Sequence, residues 1–138
     1  MSKTIKLKKG YDIKIIGTPK TTIHSNFKAQ THAVKPTDFI GISPIPKLMV
    51  NVGDKVKAGD TLFYDKKKPE ILYTAPVSGE IVEIKRGEKR SLAAVVILAD
   101  DKMSYKLFSP VRISSASRNE IVKFLMETGC WPFIRQRP

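Results

Sequence analysis

A chain of 138 residues with 25 Lys+Arg against 13 Asp+Glu carries a formal net charge of +12. Its 41% hydrophobic content excludes a disordered composition and is enough to bury a core. The single cysteine excludes an internal disulfide and a cysteine cluster for zinc or iron–sulfur, while the charge favours acidic partners: nucleic acid, an anionic membrane surface or acidic protein faces.

Met1 is followed by SKTIKLKKG with no apolar run behind it, which predicts no signal peptide. The longest apolar run, ending at Ala99, is far shorter than the roughly 20 residues a bilayer-spanning helix needs. Residues 4–16 alternate around Gly10. Ile5 and Leu7 share one face, Lys6 and Lys8 the other, and Ile13 and Ile15 repeat the pattern. This predicts a hairpin or two edge strands with lysines on the wet side. Residues 20–36 are polar and weakly patterned, which predicts short strands and loops. The stretch PTDFIGISPIPK carries Pro36, Pro44 and Pro46. Proline lacks an N–H and disfavours helix in the residue before it, so an extended connector is expected, with Phe39, Ile40 and Ile42 anchored in the core.

The stretch from Val50 to Gly87 is the most strongly patterned. Gly53-Asp54 and Gly59-Asp60 are turn signals, and Ser78-Gly79 and Arg86-Gly87 form a second pair. Asp bonds back to nearby backbone and glycine supplies φ > 0. Between these turns lie β-branched and aromatic runs: Thr61 to Tyr64, Ile71 to Thr74 and Glu80 to Ile84. Short strands between regular turns predict an all-β barrel or sandwich. The run LAAVVILA, between Ser91 and Asp100, predicts a last strand buried on both faces. Ser117-Arg118-Asn119-Glu120 then has the form of a capping box. Ile121, Phe124, Leu125 and Thr128 follow at helical spacing, and Gly129 is a C′ stop, so a helix is expected from about Arg118 to Thr128. Trp131, Phe133 and Ile134 follow with little chain left to pack on, which predicts a piece of a longer protein that keeps the first helix of a further domain.

The pattern G-D-x-V-x-x-G-D-x-L followed by A-P-x-x-G-x-I resembles the biotinyl/lipoyl type of barrel-sandwich hybrid. Here it is carried by Gly53, Asp54, Val56, Gly59, Asp60, Leu62, Ala75, Pro76, Gly79 and Ile81. Carrier domains of that type hold their cofactor on a lysine at a hairpin tip. Lys66, Lys67 and Lys68 lie near the expected tip, but their flanks carry neither Met-Lys-Met nor Asp-Lys-Ala. They read as a solvated turn on a fold without the carrier chemistry. His24 and His32 lack acidic partners at metal-ligand spacing and read as surface residues. Cys130 beside Trp131 reads as a small packed hydrophobe. The loop Lys85-Arg86-Gly87-Glu88-Lys89-Arg90 is compactly basic. With no aromatic inside it for base stacking, it points away from nucleic acid and towards anionic protein or lipid contacts. Arg135 and Arg137 are candidates for bidentate anion contacts or for cross-linking a following domain.

Taken together, several segments resemble the A subunit of the bacterial Na+-translocating NADH:quinone reductases. They are Lys9 to Ile13 with Ile16 to Pro19, Asp38 to Ile42 with Pro46 to Val50, Gly53 to Asp65, and Thr74 to Gly79. Lys85 to Arg90 with Val95 to Ile97, and Gly129 to Pro138, complete the set. The resemblance implies a mainly β fold with a C-terminal helix, a barrel-sandwich hybrid over residues 1–101. Residues 102–138 would be a linker and the first helix of an α/β domain. It implies a peripheral subunit on the cytoplasmic side of the bacterial inner membrane, without a transmembrane segment of its own. That subunit belongs to an enzyme complex that passes electrons from NADH to quinone and exports Na+. This part would dock and scaffold rather than catalyse, with no catalytic, metal or cofactor residues. NADH, flavins, an iron–sulfur centre and quinone would be used elsewhere in the complex, the quinone near the full-length subunit. Partners would be the other subunits, with the basic loops Lys66–Lys68 and Lys85–Arg90 turned towards acidic partner loops or lipid headgroups; Lys85, Arg86, Lys89, Arg90, Arg135 and Arg137 are the candidate interface or anion contacts. The C subunit of the related Rnf electron-transport complex and a lipoyl or biotin carrier are the alternative readings.

Overall fold

A computed structural model of the chain describes residue 6, residue 10, residues 14–23, residue 25, residues 28–43 and residues 45–135. Most of the expected N-terminal hairpin over residues 4–16, together with His24, Pro44 and Arg137, lies outside the described residues.

Two curled antiparallel sheets face one another. The first holds β1 (Thr31–Val34), β7 (Leu92–Ala99), β6 (Gly79–Arg86) and β3 (Lys55–Val56), in that order. The second holds β2 (Lys47–Leu48), β4 (Thr61–Asp65) and β5 (Lys68–Thr74). This is the mainly β fold expected: β4, β5, β6 and β7 fall on the predicted runs, whereas the short β1, β2 and β3 lie outside them. Leu62, Phe63, Ile81, Val95 and Ile97 are fully buried between the sheets. Phe63 and Tyr73 are direct partners across β4 and β5, and their rings stack at 5.2 Å between centroids. Phe39 meets Tyr73 edge-on at 4.7 Å and Phe63 at 6.5 Å, so the connector is anchored by Phe39 as expected. Such aromatic pairs add about 0.5–1.5 kcal/mol beyond their area burial. Ile40, by contrast, is exposed.

The two Gly-Asp turns repeat one device. Gly53 (φ +93°) and Gly59 (φ +98°) supply the left-handed residue. The Asp54 side chain then accepts from the Asn51 N–H at 2.7 Å, and Asp60 accepts from Lys57 at the same distance. Three other expectations need correction. Pro36–Asp38 forms a single 3-10 turn inside the connector, because Pro36 sits at the first helical position, where no N–H is needed. Ser78-Gly79 is not a turn: Gly79 opens β6, and a Cβ there would lie 1.9 Å from the Leu98 carbonyl oxygen. The glycine is required by the close approach of β7. β7 itself is buried on both faces only in its middle, at Ala94 and Val95; Leu98 near its end is exposed.

Beyond β7 the chain is strapped back onto the barrel. Ala58 donates to the Ser104 carbonyl and accepts from the Lys106 N–H, each at 2.9 Å. The buried Ser78 hydroxyl accepts from the Ser104 N–H at 2.9 Å. The helix α1 (Arg118–Glu127) follows, and Ser117 and Glu120 form the predicted reciprocal cap. Those bonds hold the Glu120 carboxyl below its ordinary range, the Ser117 hydroxyl contributing most. At the other end Cys130 N–H bonds to the Leu125 carbonyl and Gly129 N–H to that of Met126, a Schellman stop with Gly129 at φ +73°. A side chain at Gly129 would meet the Thr74 side chain at 2.6 Å, so the helix end seats directly on β5.

Candidate functional site

The predicted cations divide between two hairpin ends. Lys66 and Lys67 form the two-residue turn between β4 and β5, and Lys68 opens β5 opposite Asp65. The turn is tied down by Asp65, which is only 6% exposed. One of its carboxylate oxygens accepts from the Lys67 N–H at 3.0 Å, the other from the Ser43 N–H at 3.2 Å. The three lysines themselves are exposed and make no ion pair among the described residues.

Lys85, Arg86, Lys89 and Arg90 meet at the end of the β6–β7 hairpin, as the loop spacing implied. Here Gly87 does not supply the left-handed backbone (φ −100°); Lys89 (φ +51°) and Arg90 (φ +63°) do. The loop closes through two backbone bonds, Gly87 N–H to the Ser91 carbonyl and Ser91 N–H to that of Glu88. Lys85 pairs with Glu83 at 3.4 Å on a solvated surface, a contact worth less than about 1 kcal/mol. Arg86, Lys89 and Arg90 have no acidic partner among the described residues, so their charge faces solvent uncompensated.

Arg135 is exposed just beyond another 3-10 turn, Trp131–Phe133, which packs on β5. Phe133 reaches Phe39 at 5.7 Å. While Phe133 stays mostly exposed, Trp131 and Pro132, and in part Ile134, find a surface to pack on. With Lys67, Lys68, Ile71, Tyr73 and Asp65 they line a cavity of about 270 Å³. Sequence reasoning missed Asp65, Tyr73 and Trp131 as a group. The available signal was an acid closing an otherwise apolar strand, directly before the lysine turn. Burial, with Asp65 adding a smaller effect, raises the Tyr73 hydroxyl above its ordinary value near 10. Cys130 is exposed rather than packed, because the Schellman turn points it outward after Gly129. His32 is half-buried on β1. Among the described residues no group of three or more His, Cys, Asp or Glu could hold a metal ion. Within the same residues no helix is long and apolar enough to cross a membrane.

A family model described as the NqrA N-terminal barrel-sandwich hybrid domain matches residues 5–100. A curated relative from Haemophilus influenzae (strain PittEE), named as the A subunit of a Na(+)-translocating NADH-quinone reductase, is 40% identical over 136 residues. That match covers 97% of this chain and 30% of the relative. Proteins of the same name from Actinobacillus pleuropneumoniae serotype 5b (strain L20) and Saccharophagus degradans are 39% and 40% identical, with the same coverage. The chain thus spans about 30% of the length of these relatives.

Proposed function

Because the chain belongs to the NqrA N-terminal barrel-sandwich hybrid domain family, we propose that it is the docking module of NqrA in a Na+-translocating NADH:quinone reductase. The observation that carries this reading is the match to NqrA proteins over 97% of the chain, joined to a basic hairpin end where Arg86, Lys89 and Arg90 have no acidic partner among the described residues. Residues 1–101 form the barrel unit in this reading, and residues 102–138 begin a further domain. The module is peripheral and lies on the cytoplasmic side of the membrane. It carries no cofactor of its own, and electron transfer from NADH to quinone takes place on other parts of the complex.

The mechanism is electrostatic presentation from a rigid support. β6 and β7 pair as far as Arg86 and Leu92, which holds Lys85 and Arg86 in place and anchors the loop that carries Lys89 and Arg90. A fixed cluster of cations steers an acidic partner surface and raises the rate of productive encounter. Against an anionic leaflet each such residue contributes about 1 kcal/mol. Arg135 and Arg137 act within the same protein, cross-linking the domain that follows.

The test is charge reversal at Arg86, Lys89 and Arg90 together in the intact NqrA protein. The expected outcome is loss of NqrA from the purified complex, more marked at high salt. Normal co-purification with normal quinone-dependent turnover would remove the docking role from this loop. The carrier reading has one supporting observation, the lysine pair at an exposed hairpin tip. Intact mass of the protein from its native host separates the two, and an unmodified mass is expected here.

A further inference from the structure

The cavity between the Lys66–Lys67 turn and the Trp131–Phe133 turn has features that docking through the β6–β7 loop does not use. Its volume of about 270 Å³ equals that of about nine waters at ~30 Å³ each, enough for one substituted six-membered ring. Tyr73 is only 5% exposed, and its hydroxyl makes no hydrogen bond within the described chain. No sealed side-chain oxygen among the described residues lacks a partner, so this hydroxyl opens onto the cavity that Tyr73 lines. On the lining of the same cavity each Asp65 oxygen accepts one backbone N–H and keeps further lone pairs.

A ligand group that accepts from Tyr73 and donates to Asp65 satisfies both at once. A hydroxyl does this, and so does a primary amide. Lys67 and Lys68 stand at the exposed rim without acidic partners, which favours a negative charge at the other end of the ligand. Trp131, Ile71 and Ile134 supply apolar walls suited to a flat ring between the two polar ends. We propose that this cavity binds a small planar acid that carries a hydroxyl or amide, with the polar group between Tyr73 and Asp65 and the carboxylate at Lys67 and Lys68.

Trp131 is the one tryptophan of the chain, so its indole N–H gives a single resolved signal at the site in a nitrogen-15 correlation spectrum. The 138-residue chain is titrated with 3-hydroxybenzoate, with benzoate (no hydroxyl) and with 3-hydroxybenzyl alcohol (no charge). A saturable shift is expected for 3-hydroxybenzoate, with each of the other probes about fivefold weaker. Tyr73→Phe should weaken 3-hydroxybenzoate about fivefold and leave benzoate unchanged. Lys67→Ala with Lys68→Ala, at exposed positions that leave the fold intact, should weaken both acids and not the alcohol. Absence of a saturable shift would overturn the proposal. So would equal affinity for all three probes, or a double lysine variant that binds both acids as well as before. Should Tyr73→Phe fail to fold, the probe series and the lysine variant decide by themselves.

Discussion

The β4–β5 and β6–β7 hairpins both end in basic residues, but the chain holds the two ends by different means. At Lys66–Lys67 a buried carboxylate, Asp65, reaches both the turn and the Ser43 backbone of the connector. That end is stitched to a second segment and shares a cavity with the C-terminal turn. At Lys85–Arg90 no side chain caps the loop, and two non-glycine residues accept a left-handed backbone. The lesson is that a similar charge can sit on unlike supports. The first end is coupled to the packing of its neighbours, whereas the second can be presented to a partner without disturbing the core.

The largest expected effect comes from the root of the second hairpin. Gly79→Ala places a methyl group against the Leu98 carbonyl, and only a shift of strand backbone relieves it. Overpacking of this kind costs about 3 kcal/mol, at the upper end of its usual range. Urea denaturation should show the loss, and stability within about 0.5 kcal/mol of the parent would show that β6 and β7 can separate there.

Next is the stitch of the first hairpin. Asp65→Ala leaves the Ser43 and Lys67 N–H groups without their acceptor, at a cost of about 2 kcal/mol. Lys67→Ala, which removes only an exposed side chain, should be near neutral in the same denaturation series. Tyr73 offers a second readout. Its hydroxyl titrates above 10 in the folded chain, chiefly through burial and secondly through Asp65. A raised folded value means that its contribution is fully present below the unfolded value and is lost as pH rises through the folded one. Stability should therefore fall from about pH 10 upward. In Asp65→Ala the Tyr73 ultraviolet titration should move part of the way back towards its ordinary value.

The smallest effect concerns the second tip. Lys89→Gly with Arg90→Gly removes the left-handed cost of two side chains while making the unfolded chain freer. The net change should be a gain of no more than about 0.5 kcal/mol. A loss above about 1 kcal/mol would mean that these side chains hold the loop, and the contrast between the two ends would fail.

Much of the fold was legible in the sequence, for reasons that are local. The Gly-Asp turns announce themselves because glycine and aspartate perform their roles within four residues, as Asn51–Asp54 and Lys57–Asp60 show. The Ser117 cap and the Gly129 stop are local in the same way. Gly79 misled because its reason lies across the sheet, at Leu98, and no neighbour in sequence signals it. The basic loop was readable as a cluster, but its left-handed residues were not, since Gly87 was the natural candidate and Lys89 and Arg90 took the role.

The sequence by itself determined the four longer strands, the two Gly-Asp turns, the capped helix and the family, because each rests on contacts between near neighbours or on a pattern of residue types in register. Tertiary structure alone decided which charges stand free and which groups share a cavity. The β4–β5 pairing brings Asp65 and Tyr73 together, and only the seating of the helix end on β5 adds Trp131 from far along the chain. Which hydroxyl opens onto a cavity, and that Arg86, Lys89 and Arg90 lack an acidic partner among the described residues, are properties of the packed molecule and have no signature in the order of residues.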